Sequence, residues 1–329
     1  MSHIFDALQR SEAERSGSAG SPLSAITELL ERAERIATSR SDAAQELERL
    51  GAASPSERER EFLPGKPLST PGTEVRSELA PAAGAEDAEI FQECQTLHLS
   101  LTPHNRLVTV SDSDSPAAEA FRLLSVRLRH LRRDRNLKKV LITSTIPQEG
   151  KSMVSANLAC ALASSTRKRT LLVEGDVRRP SLSKVFGLEP HAGLCEWLQG
   201  GRSLTSSIYR LEPGGIWLLP AGDAPANPLE LLESAKLPAL IEELAASFDW
   251  LIIDSPPVLP LADTSVWTRL ADGILLVTRQ GTTQKRHLQR GLEALESKKV
   301  IGVVLNSSKN SSDNEYYSYR RPLDSAAAV

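Results

Sequence analysis

The sequence has few cysteines, scattered histidines and no long apolar segment. Its 329 residues include three cysteines, Cys94, Cys160 and Cys195, whose spacing matches neither a zinc site nor a disulfide framework, so a reducing compartment fits. The six histidines are scattered and predict no metal cluster. No apolar run approaches the ~20 residues that span a bilayer, and the polar N-terminus lacks the apolar core of a signal peptide. We therefore expect a soluble, cytoplasmic protein.

Charge and length set further bounds on the protein. The formal net charge of −3 gives no sign of a nucleic-acid partner, and we expect none. The chain is long enough for about two domains. Residues 1–89 differ from the rest, with two amphipathic helical patterns followed by a linker rich in Pro, Gly, Ser, Ala and Glu. This helical and partly disordered N-terminal extension is either solvated sequence or a docking segment for a partner.

From residue 138 onward, short Val/Ile/Leu-rich segments alternate with helical patterns. Strands are predicted at 140–143, 170–174, 216–220, 250–254, 274–277 and 300–305. Such nearly continuous apolar runs are typical of strands buried on both faces, and helices between them imply right-handed crossovers. The pattern predicts an α/β domain over residues 90–306 with a doubly wound, mostly parallel sheet, followed by a flexible tail at 307–329.

Two further elements are predicted before the first of these strands. The apolar segment 107–110 is predicted to be a strand. Ser115 followed by Pro116 is typical of a helix start, with a capping side chain and proline in the first turn. Leu124 and Leu128 belong to an apolar stripe on that helix, whose other faces are rich in arginine. These basic faces are either solvated or a contact surface.

The segment 139–152 combines an apolar strand, a loop and the triplet Gly150-Lys151-Ser152, and an apolar helical run starts at Met153. This order is typical of a loop that binds nucleotide phosphates through backbone N–H groups and a helix N-terminus. The usual pattern has glycine where this chain has Thr145. A turn that merely caps a helix is the alternative, and the apolar strand and helix on either side favour the phosphate loop.

Acidic residues follow two of the predicted strands. Glu174 and Asp176 come at and just after the end of one strand, and Asp254 ends another. Because ligands bind at the carboxyl ends of the strands in such sheets, these carboxylates could hold Mg²⁺ directly or through water. Strands also end in acids simply because they end in solvent. Three carboxylates together with a phosphate loop favour a nucleotide–Mg²⁺ site.

Three segments together resemble the Walker A, A′ and B motifs of the bacterial tyrosine autokinases, which control capsule and exopolysaccharide synthesis. They are residues 147–152 (Pro-Gln-Glu-Gly-Lys-Ser), 172–180 (Leu-Val-Glu-Gly-Asp-Val-Arg-Arg-Pro) and 252–257 (Ile-Ile-Asp-Ser-Pro-Pro). Further matches are residues 119–122, 193–200, 219–228, 271–277 and 302–306. The resemblance runs from about residue 115 to 306 and implies a P-loop NTPase fold of the deviant Walker type, with ATP and Mg²⁺ as cofactors.

The resemblance also implies residue roles. The residues implied in nucleotide binding are Gln148, Glu149, Gly150, Lys151, Ser152, Met153 and Asn306, of which Asn306 would read the adenine. Those implied in catalysis are Lys151, Glu174, Asp176, Arg178 and Asp254, and Mg²⁺ would be held by Ser152, Asp176 and Asp254. Glu174 would be the base that takes the proton of the acceptor tyrosine, which is a poor nucleophile at pH 7 without one because its pKa is about 10. Arg178 would steer the phosphate or the acceptor.

Two positions depart from the family pattern. The family usually has aspartate at the position of Glu174 and often has glycine at the position of Gln148. Both residues permit nucleotide binding, and they leave the rate of the chemical step open.

The acceptor implied by the resemblance is the C-terminal cluster Tyr316, Tyr317 and Tyr319, which neighbouring subunits of a ring would phosphorylate. A tail without function is the alternative, although aromatic residues make up only 4% of the chain. Glu119 and Arg122 match the family's subunit-contact motif. Their alternative is an ordinary ion pair at i,i+3 spacing on an exposed helix.

The sequence therefore predicts an ATP-dependent protein-tyrosine autokinase that regulates exopolysaccharide or capsule synthesis and export. The resemblance implies a separate membrane-bound polysaccharide co-polymerase as activator, which would recruit the kinase to the inner face of the plasma membrane, and a cognate tyrosine phosphatase. One alternative is an ATPase switch of the partitioning or septum-placing type. Those proteins carry an extra lysine near the start of the phosphate loop, where this chain has Ser144 and Thr145. The other is a nucleotide-binding scaffold with little or no catalysis.

Overall fold

One eight-stranded sheet organises the residues that the computed structural model describes, which are 94–102, 105–166 and 168–307. The strands are β1 (Thr96–His98), β2 (Lys139–Ser144), β3 (Thr170–Glu174), β4 (Tyr209–Glu212), β5 (Ile216–Leu219), β6 (Trp250–Asp254), β7 (Gly273–Arg279) and β8 (Val300–Asn306). Their order across the sheet is β1-β4-β5-β3-β6-β2-β7-β8. Neighbouring strands are parallel except for the antiparallel pair of β4 and β5. The predicted mostly parallel, doubly wound sheet is confirmed.

Helices connect the strands and cover both faces of the sheet. They are α1 (Val108–Ser111), α2 (Pro116–Asp134), α3 (Lys151–Thr166), α4 (Leu182–Phe186), α5 (Leu194–Leu198), α6 (Leu204–Ser207), α7 (Pro228–Leu232), α8 (Lys236–Ser247), α9 (Asp263–Leu270) and α10 (Lys285–Ala294). A short 3₁₀ helix (Ser297–Lys299) precedes β8. Among the described residues no helix is both long and apolar enough to cross a bilayer.

Alternate residues of the central strands point into two separate cores. In β2, Leu141 packs in the core that contains α8 and Trp267 of α9. Its neighbours Val140 and Ile142 pack in the opposite core with α2 and α3. Because side chains alternate along a strand, an uninterrupted apolar run fills both cores. The two cores hold the sheet rigid, so its strand ends can support a site.

Helix α2 begins where the sequence predicts, with Ser115 as the capping residue and Pro116 as the first helical residue. Ser115 has an extended backbone, and its hydroxyl oxygen accepts a hydrogen bond from the backbone N–H of Ala118 at 3.2 Å. Pro116 occupies the first turn, where a missing N–H costs nothing. Leu124 and Leu128 are buried against the core beneath α3.

The predicted strand at 107–110 is wrong, because these residues lie in and just before helix α1. The carbonyl oxygen of Leu107 accepts hydrogen bonds from the N–H groups of Val110 and Ser111, each at 2.9 Å. The Thr109 N–H and hydroxyl both reach the side-chain oxygen of Asn157 on α3, each at 3.2 Å. These contacts pair the backbone and side-chain polar groups of the helical segment, and they override the β-branched composition.

Two strands were not predicted. Strand β1 is three residues long and partly exposed, so it has no apolar run. Strand β4 alternates buried Tyr209 and Leu211 with exposed Arg210, which is the pattern of a strand near the sheet edge. The predicted N-terminal extension and the tyrosine cluster lie outside the described residues.

Candidate active site

The carboxyl ends of β2, β3 and β6 meet at one edge of the sheet. In the register of these strands, Glu174 lies beside Asp254, and Asp254 lies beside Ile142. The loop that joins β2 to α3 leaves from the same edge. The predicted phosphate loop and the two predicted acidic strand ends are therefore brought together by adjacent parallel strands.

The loop between β2 and α3 has a left-handed backbone at two positions. Gln148 has a φ of 67° and Gly150 a φ of 90°. A Cβ atom on Gly150 would lie 2.1 Å from Nδ2 of Asn306, so no larger residue fits there without displacing Asn306. Because the backbone at Gln148 is left-handed, glycine would suit this position: glycine has no Cβ atom and adopts positive φ without a steric penalty.

A buried carboxylate holds this loop in shape. Glu149 is fully buried and accepts hydrogen bonds from the Thr145 hydroxyl, at 3.0 and 2.9 Å to its two oxygens, and from the N–H of Ile146 at 2.9 Å. The hydroxyl of Thr283, in the β7–α10 loop, donates to the same carboxylate. Thr145 thus has a defined role where the usual pattern has glycine, because its side chain ties the two ends of the loop together.

The outer side of the loop is bound to the ends of β7 and β8. Arg279 Nη1 donates to the Gln148 carbonyl oxygen at 3.3 Å, and Asn306 Nδ2 donates to the Glu149 carbonyl oxygen at 2.8 Å. The loop is therefore fixed on both sides before any ligand arrives.

Lys151, the first residue of α3, lies among the carboxylates. Its Nζ is 3.0 Å from Oδ2 of Asp176. Burial lowers the pKa of Lys151, but the nearby Asp254 and Asp176 carboxylates raise it, with a net rise. The lysine is therefore a fixed positive charge at the start of a helix, where backbone N–H groups also attract anions.

Asp254 is fully buried at the end of β6. Its Oδ1 accepts a hydrogen bond from the Ser155 hydroxyl at 3.1 Å, whereas its Oδ2 has no hydrogen-bond partner among the described residues. Burial raises the pKa of Asp254 to about 7, against the opposing effects of Lys151 and the Ser152 hydroxyl. A buried carboxylate oxygen without a partner, with serine and carboxylate oxygens nearby, fits Mg²⁺, which prefers oxygen ligands.

Glu174 is buried at the end of β3, with 1% of its surface exposed. Its Oε1 accepts hydrogen bonds from the backbone N–H groups of Ser181 and Leu182, the latter at 2.6 Å, and its Oε2 accepts one from Ala221 N–H at 3.1 Å. Burial raises the pKa of Glu174 and these three donors lower it, with a net rise. The carboxylate thus joins three separate elements.

The residues after β3 are fixed by local and distant partners. Oδ1 of Asp176 accepts from the Arg179 N–H at 3.1 Å. Arg178 makes two hydrogen bonds to the buried Asp263 at the start of α9, at 2.6 and 3.0 Å, and this carboxylate raises the pKa of Arg178. Because its guanidinium donates to both carboxylate oxygens of Asp263, Arg178 is held in one orientation at the edge of the site.

Gly175 lies between Glu174 and Asp176, at a position where a side chain does not fit. A Cβ atom on Gly175 would lie 2.7 Å from the ring of the fully buried Trp267. The Trp267 Nε1–H donates to the Gly175 carbonyl oxygen at 3.1 Å, and Gly175 N–H donates to the Asp254 carbonyl oxygen at 2.7 Å. The glycine therefore lets β3 and β6 carry their acids side by side.

Comparison with known proteins decides the family of this site. The family model for the CobQ/CobB/MinD/ParA nucleotide binding domain matches residues 140–323. The tyrosine-protein kinase YwqD of Bacillus subtilis strain 168 is 34% identical over 215 residues, which cover 65% of this chain and 90% of YwqD. The chain belongs to the bacterial tyrosine kinases of this nucleotide-binding family.

A solved kinase domain agrees with this assignment, and a longer relative is similar over part of its length. The kinase domain of the Escherichia coli tyrosine kinase ETK is similar in structure, with a TM-score of 0.58 and 28% identity, covering 62% of this chain and 82% of that chain. The succinoglycan biosynthesis transport protein ExoP of Rhizobium meliloti strain 1021 is 36% identical over 211 residues. The match covers 62% of this chain but only 27% of ExoP.

The structure brings most of the predicted kinase residues to one place and leaves others apart. The loop residues 148–150, Lys151, Ser152, Glu174, Asp176 and Asp254 gather at the strand ends, with Met153 in the first turn of α3. Glu119 and Arg122 lie on α2, where they form an ion pair at 2.7 Å, and Arg122 Nη1 also donates to the Ser113 carbonyl oxygen at 2.6 Å. Their role as a subunit contact stays a prediction. Tyr316, Tyr317 and Tyr319 lie outside the described residues.

Several residues that shape the site were not predicted. Asp263 is 85 positions from Arg178, and Thr283 is 134 positions from Glu149, so no local pattern links them. Ser155 and Ser181 are small polar residues without a motif. One signal was present for Ser155, because it lies three residues after Ser152 and therefore on the same side of the helix.

Proposed function

We propose that this protein is an ATP-dependent tyrosine autokinase that phosphorylates its own C-terminal tyrosines and regulates exopolysaccharide synthesis and export. The observation that carries the proposal is the group of Lys151, Asp176 and the buried Asp254 beside the start of α3. It combines the lysine for phosphates with carboxylates for a metal ion.

Nucleotide binding rests on the loop and on Lys151. The fixed backbone between Gln148 and Gly150 presents N–H groups to the phosphates, and the N-terminus of α3 adds its partial positive charge. Lys151 would exchange its contact with Asp176 for the terminal phosphates. The role of Asn306 in binding the adenine stays a prediction. In this structure its amide nitrogen donates to the Glu149 carbonyl oxygen of the phosphate loop.

Ser152, Asp176 and Asp254 would hold Mg²⁺. When bound, the ion neutralises the charge on the phosphate oxygens, which is the main electrostatic requirement of phosphoryl transfer. The Ser155 hydrogen bond fixes one oxygen of Asp254, and the second oxygen, which has no hydrogen-bond partner among the described residues, is available for the ion. Releasing Asp176 from Lys151 would free a further oxygen for the metal shell.

The proposed acceptors are Tyr316, Tyr317 and Tyr319, reached by the active site of a neighbouring subunit in a ring that Glu119 and Arg122 help to form. Each phosphorylated tyrosine would add roughly −1.5 to −2 charges. Several such charges would repel one another and favour disassembly of the ring. A cognate phosphatase would reset the tail.

The proposed partner is a separate membrane-bound polysaccharide co-polymerase that recruits the kinase to the inner face of the plasma membrane. Support comes from the relative ExoP, which is named as a transport protein of succinoglycan biosynthesis. The match covers about a quarter of ExoP, so much of that protein has no counterpart in this alignment.

Transfer between subunits can be tested by mixing two variants. One carries Lys151→Ala and an intact tail, and the other carries Tyr→Phe at positions 316, 317 and 319 with an intact site. We expect no phosphotyrosine in either variant alone and phosphorylation of the Lys151→Ala chain in the mixture with Mg-ATP. Hydrolysis of ATP to ADP and phosphate without any phosphotyrosine, in the mixture and in the unmodified protein, would favour an ATPase switch instead. Replacement of the exposed Lys168 by Ala is the matched control.

A further inference from the structure

Glu174 occupies the position that the family resemblance assigns to the proton-accepting base. A general base needs a free lone pair within hydrogen-bond reach of the hydroxyl that it deprotonates. Three of the roughly four lone-pair sites of the Glu174 carboxylate already accept backbone N–H groups, and burial leaves only 1% of the residue exposed to an incoming hydroxyl. A carboxylate in this arrangement stabilises the backbone that surrounds it and is poorly placed to meet an incoming tyrosine.

The three donors to Glu174 come from two segments that border the site. Ser181 and Leu182 lie at the start of α4, and Ala221 lies in the loop after β5. The side chain of glutamate is one methylene longer than that of aspartate. The longer side chain lets one carboxylate, anchored on β3, receive donors from both segments.

Ser181 connects Glu174 to the proposed metal ligand. Its hydroxyl donates a hydrogen bond to the Ser152 Oγ at 2.8 Å, while its backbone N–H is held by Glu174. Once Ser152 accepts this bond, its own hydroxyl hydrogen must point elsewhere, and its second lone pair remains for a metal ion. The Ser152 hydroxyl lies close enough to Asp254 to lower the pKa of that carboxyl, against the larger rise caused by burial.

We propose that Glu174 and Ser181 are positioning residues: Glu174 fixes the backbone of Ser181, and Ser181 orients the Ser152 hydroxyl for Mg²⁺. This inference rests on the proposed nucleotide–Mg²⁺ site. Hydrogen bonds that orient a metal ligand typically affect metal affinity by about 10- to 100-fold. The relay should therefore appear in metal-dependent nucleotide binding, independently of any phosphoryl transfer.

The test measures the affinity of a fluorescent ADP analogue with Mg²⁺ and with EDTA for the full chain. In Ser181→Ala, we expect the gain in affinity from Mg²⁺ to fall about tenfold, with the EDTA affinity changed less than about twofold because the phosphate loop is untouched. Ser183→Ala, on the same short helix, is the matched control and should behave like the unmodified protein. Ser181→Thr keeps the hydroxyl and should restore most of the Mg²⁺ effect.

Glu174→Gln separates positioning from proton transfer. The amide offers one acceptor oxygen and an NH₂ group, so it cannot accept all three donors. We expect it to lose the Mg²⁺ effect on ADP binding as Ser181→Ala does. If Glu174 were instead the base, this variant would lower phosphotransfer by about 10²- to 10⁴-fold and leave Mg²⁺-dependent ADP binding intact.

The outcomes distinguish this inference from the proposed function. If Lys151→Ala binds ADP as well as the unmodified protein does, the proposed nucleotide site itself is wrong. If binding depends on Lys151 but Ser181→Ala retains the full Mg²⁺ effect, the positioning relay is overturned and the nucleotide site stands. Because Ser181→Ala removes only one partly exposed hydroxyl, its result remains decisive even if Glu174→Gln fails to fold.

Discussion

At the scale of single residues, the phosphate loop contains a conformation that its side chain does not favour. Gln148 has a φ of 67°, in the left-handed region where residues with a Cβ atom cost roughly 1–2 kcal/mol. Its carbonyl oxygen is held by Arg279. The surrounding loop therefore imposes this conformation, and glycine would adopt it without that cost.

We predict that Gln148→Gly leaves the free energy of unfolding unchanged or raises it by up to about 1 kcal/mol, because relief of strain opposes the greater entropy of the unfolded glycine chain. Gln148→Val should lower it by about 1–2 kcal/mol, since a β-branched residue is disfavoured at positive φ. Urea denaturation without nucleotide checks both values. A valine variant as stable as the unmodified protein would show that the loop does not hold this conformation in solution.

A second residue-scale prediction concerns Asp254. Burial raises its pKa from 3.8 to about 7 in the folded protein, so the folded state holds this proton more tightly than the unfolded state does. The stability contributed by the proton is complete below about pH 4 and is lost as the pH rises through about 7. Relative to Asp254→Asn, the unmodified protein should lose about 2–4 kcal/mol between pH 4 and pH 8.

The measurement is the free energy of unfolding against pH, in EDTA and without nucleotide. Asp223→Asn, at an exposed loop position, is the control and should run parallel to the unmodified protein. A constant difference between Asp254→Asn and the unmodified protein over this range would contradict the buried, proton-binding state of Asp254.

Much of the site could be predicted at the residue scale because its motifs are local. Gly150, Lys151 and Ser152 are consecutive, Asp176 lies two residues after the end of an apolar strand, and Asp254 ends another. Asp263 and Thr283 could not be predicted, since their partners are brought close only by the fold. The sequence also could not show that Glu174 is poorly placed to act as a base, because its three backbone donors come close to it only in the folded chain.

At the scale of elements, the loop between β7 and α10 supports the phosphate loop. The Thr283 hydroxyl donates to the buried Glu149 carboxylate and also accepts from the Arg279 N–H at 2.9 Å. Removing this hydroxyl takes one donor from the buried Glu149 carboxylate and one acceptor from the exposed Arg279 N–H. The support extends from the end of β7 across to the loop after β2.

We predict that Thr283→Val, which keeps the shape of the side chain, lowers the free energy of unfolding by about 1–3 kcal/mol. It should also speed amide hydrogen exchange in residues 145–150, since the loop loses one of its fixed contacts. Thr282→Val at the neighbouring exposed position is the control. Unchanged exchange in the phosphate loop would show that Glu149 is held well enough without Thr283.

The elements themselves were predicted well where they were long and apolar. The six predicted strands correspond to β2, β3, β5, β6, β7 and β8, because strands buried on both faces produce continuous apolar runs. Strand β1 was missed because it is short and partly exposed. Segment 107–110 was assigned the wrong type, since its contacts with Asn157 on α3 depend on tertiary packing.

At the scale of the whole molecule, the fold gathers the ends of three parallel strands into one site. The two cores on either side of the sheet fix β2, β3 and β6, and these strands carry the loop and the acids. Relatives and a solved kinase domain agree with this arrangement over about two thirds of the chain. The chemistry that we propose joins this site to a tyrosine cluster far along the sequence.

The most direct test is phosphotyrosine mapping by mass spectrometry after incubation of the purified protein with Mg-ATP, beside Lys151→Ala. We predict phosphate on at least one of Tyr316, Tyr317 and Tyr319 and none on these residues in Lys151→Ala. An unmodified tail in protein that hydrolyses ATP, with the membrane co-polymerase's cytoplasmic segments present, would contradict the autokinase account.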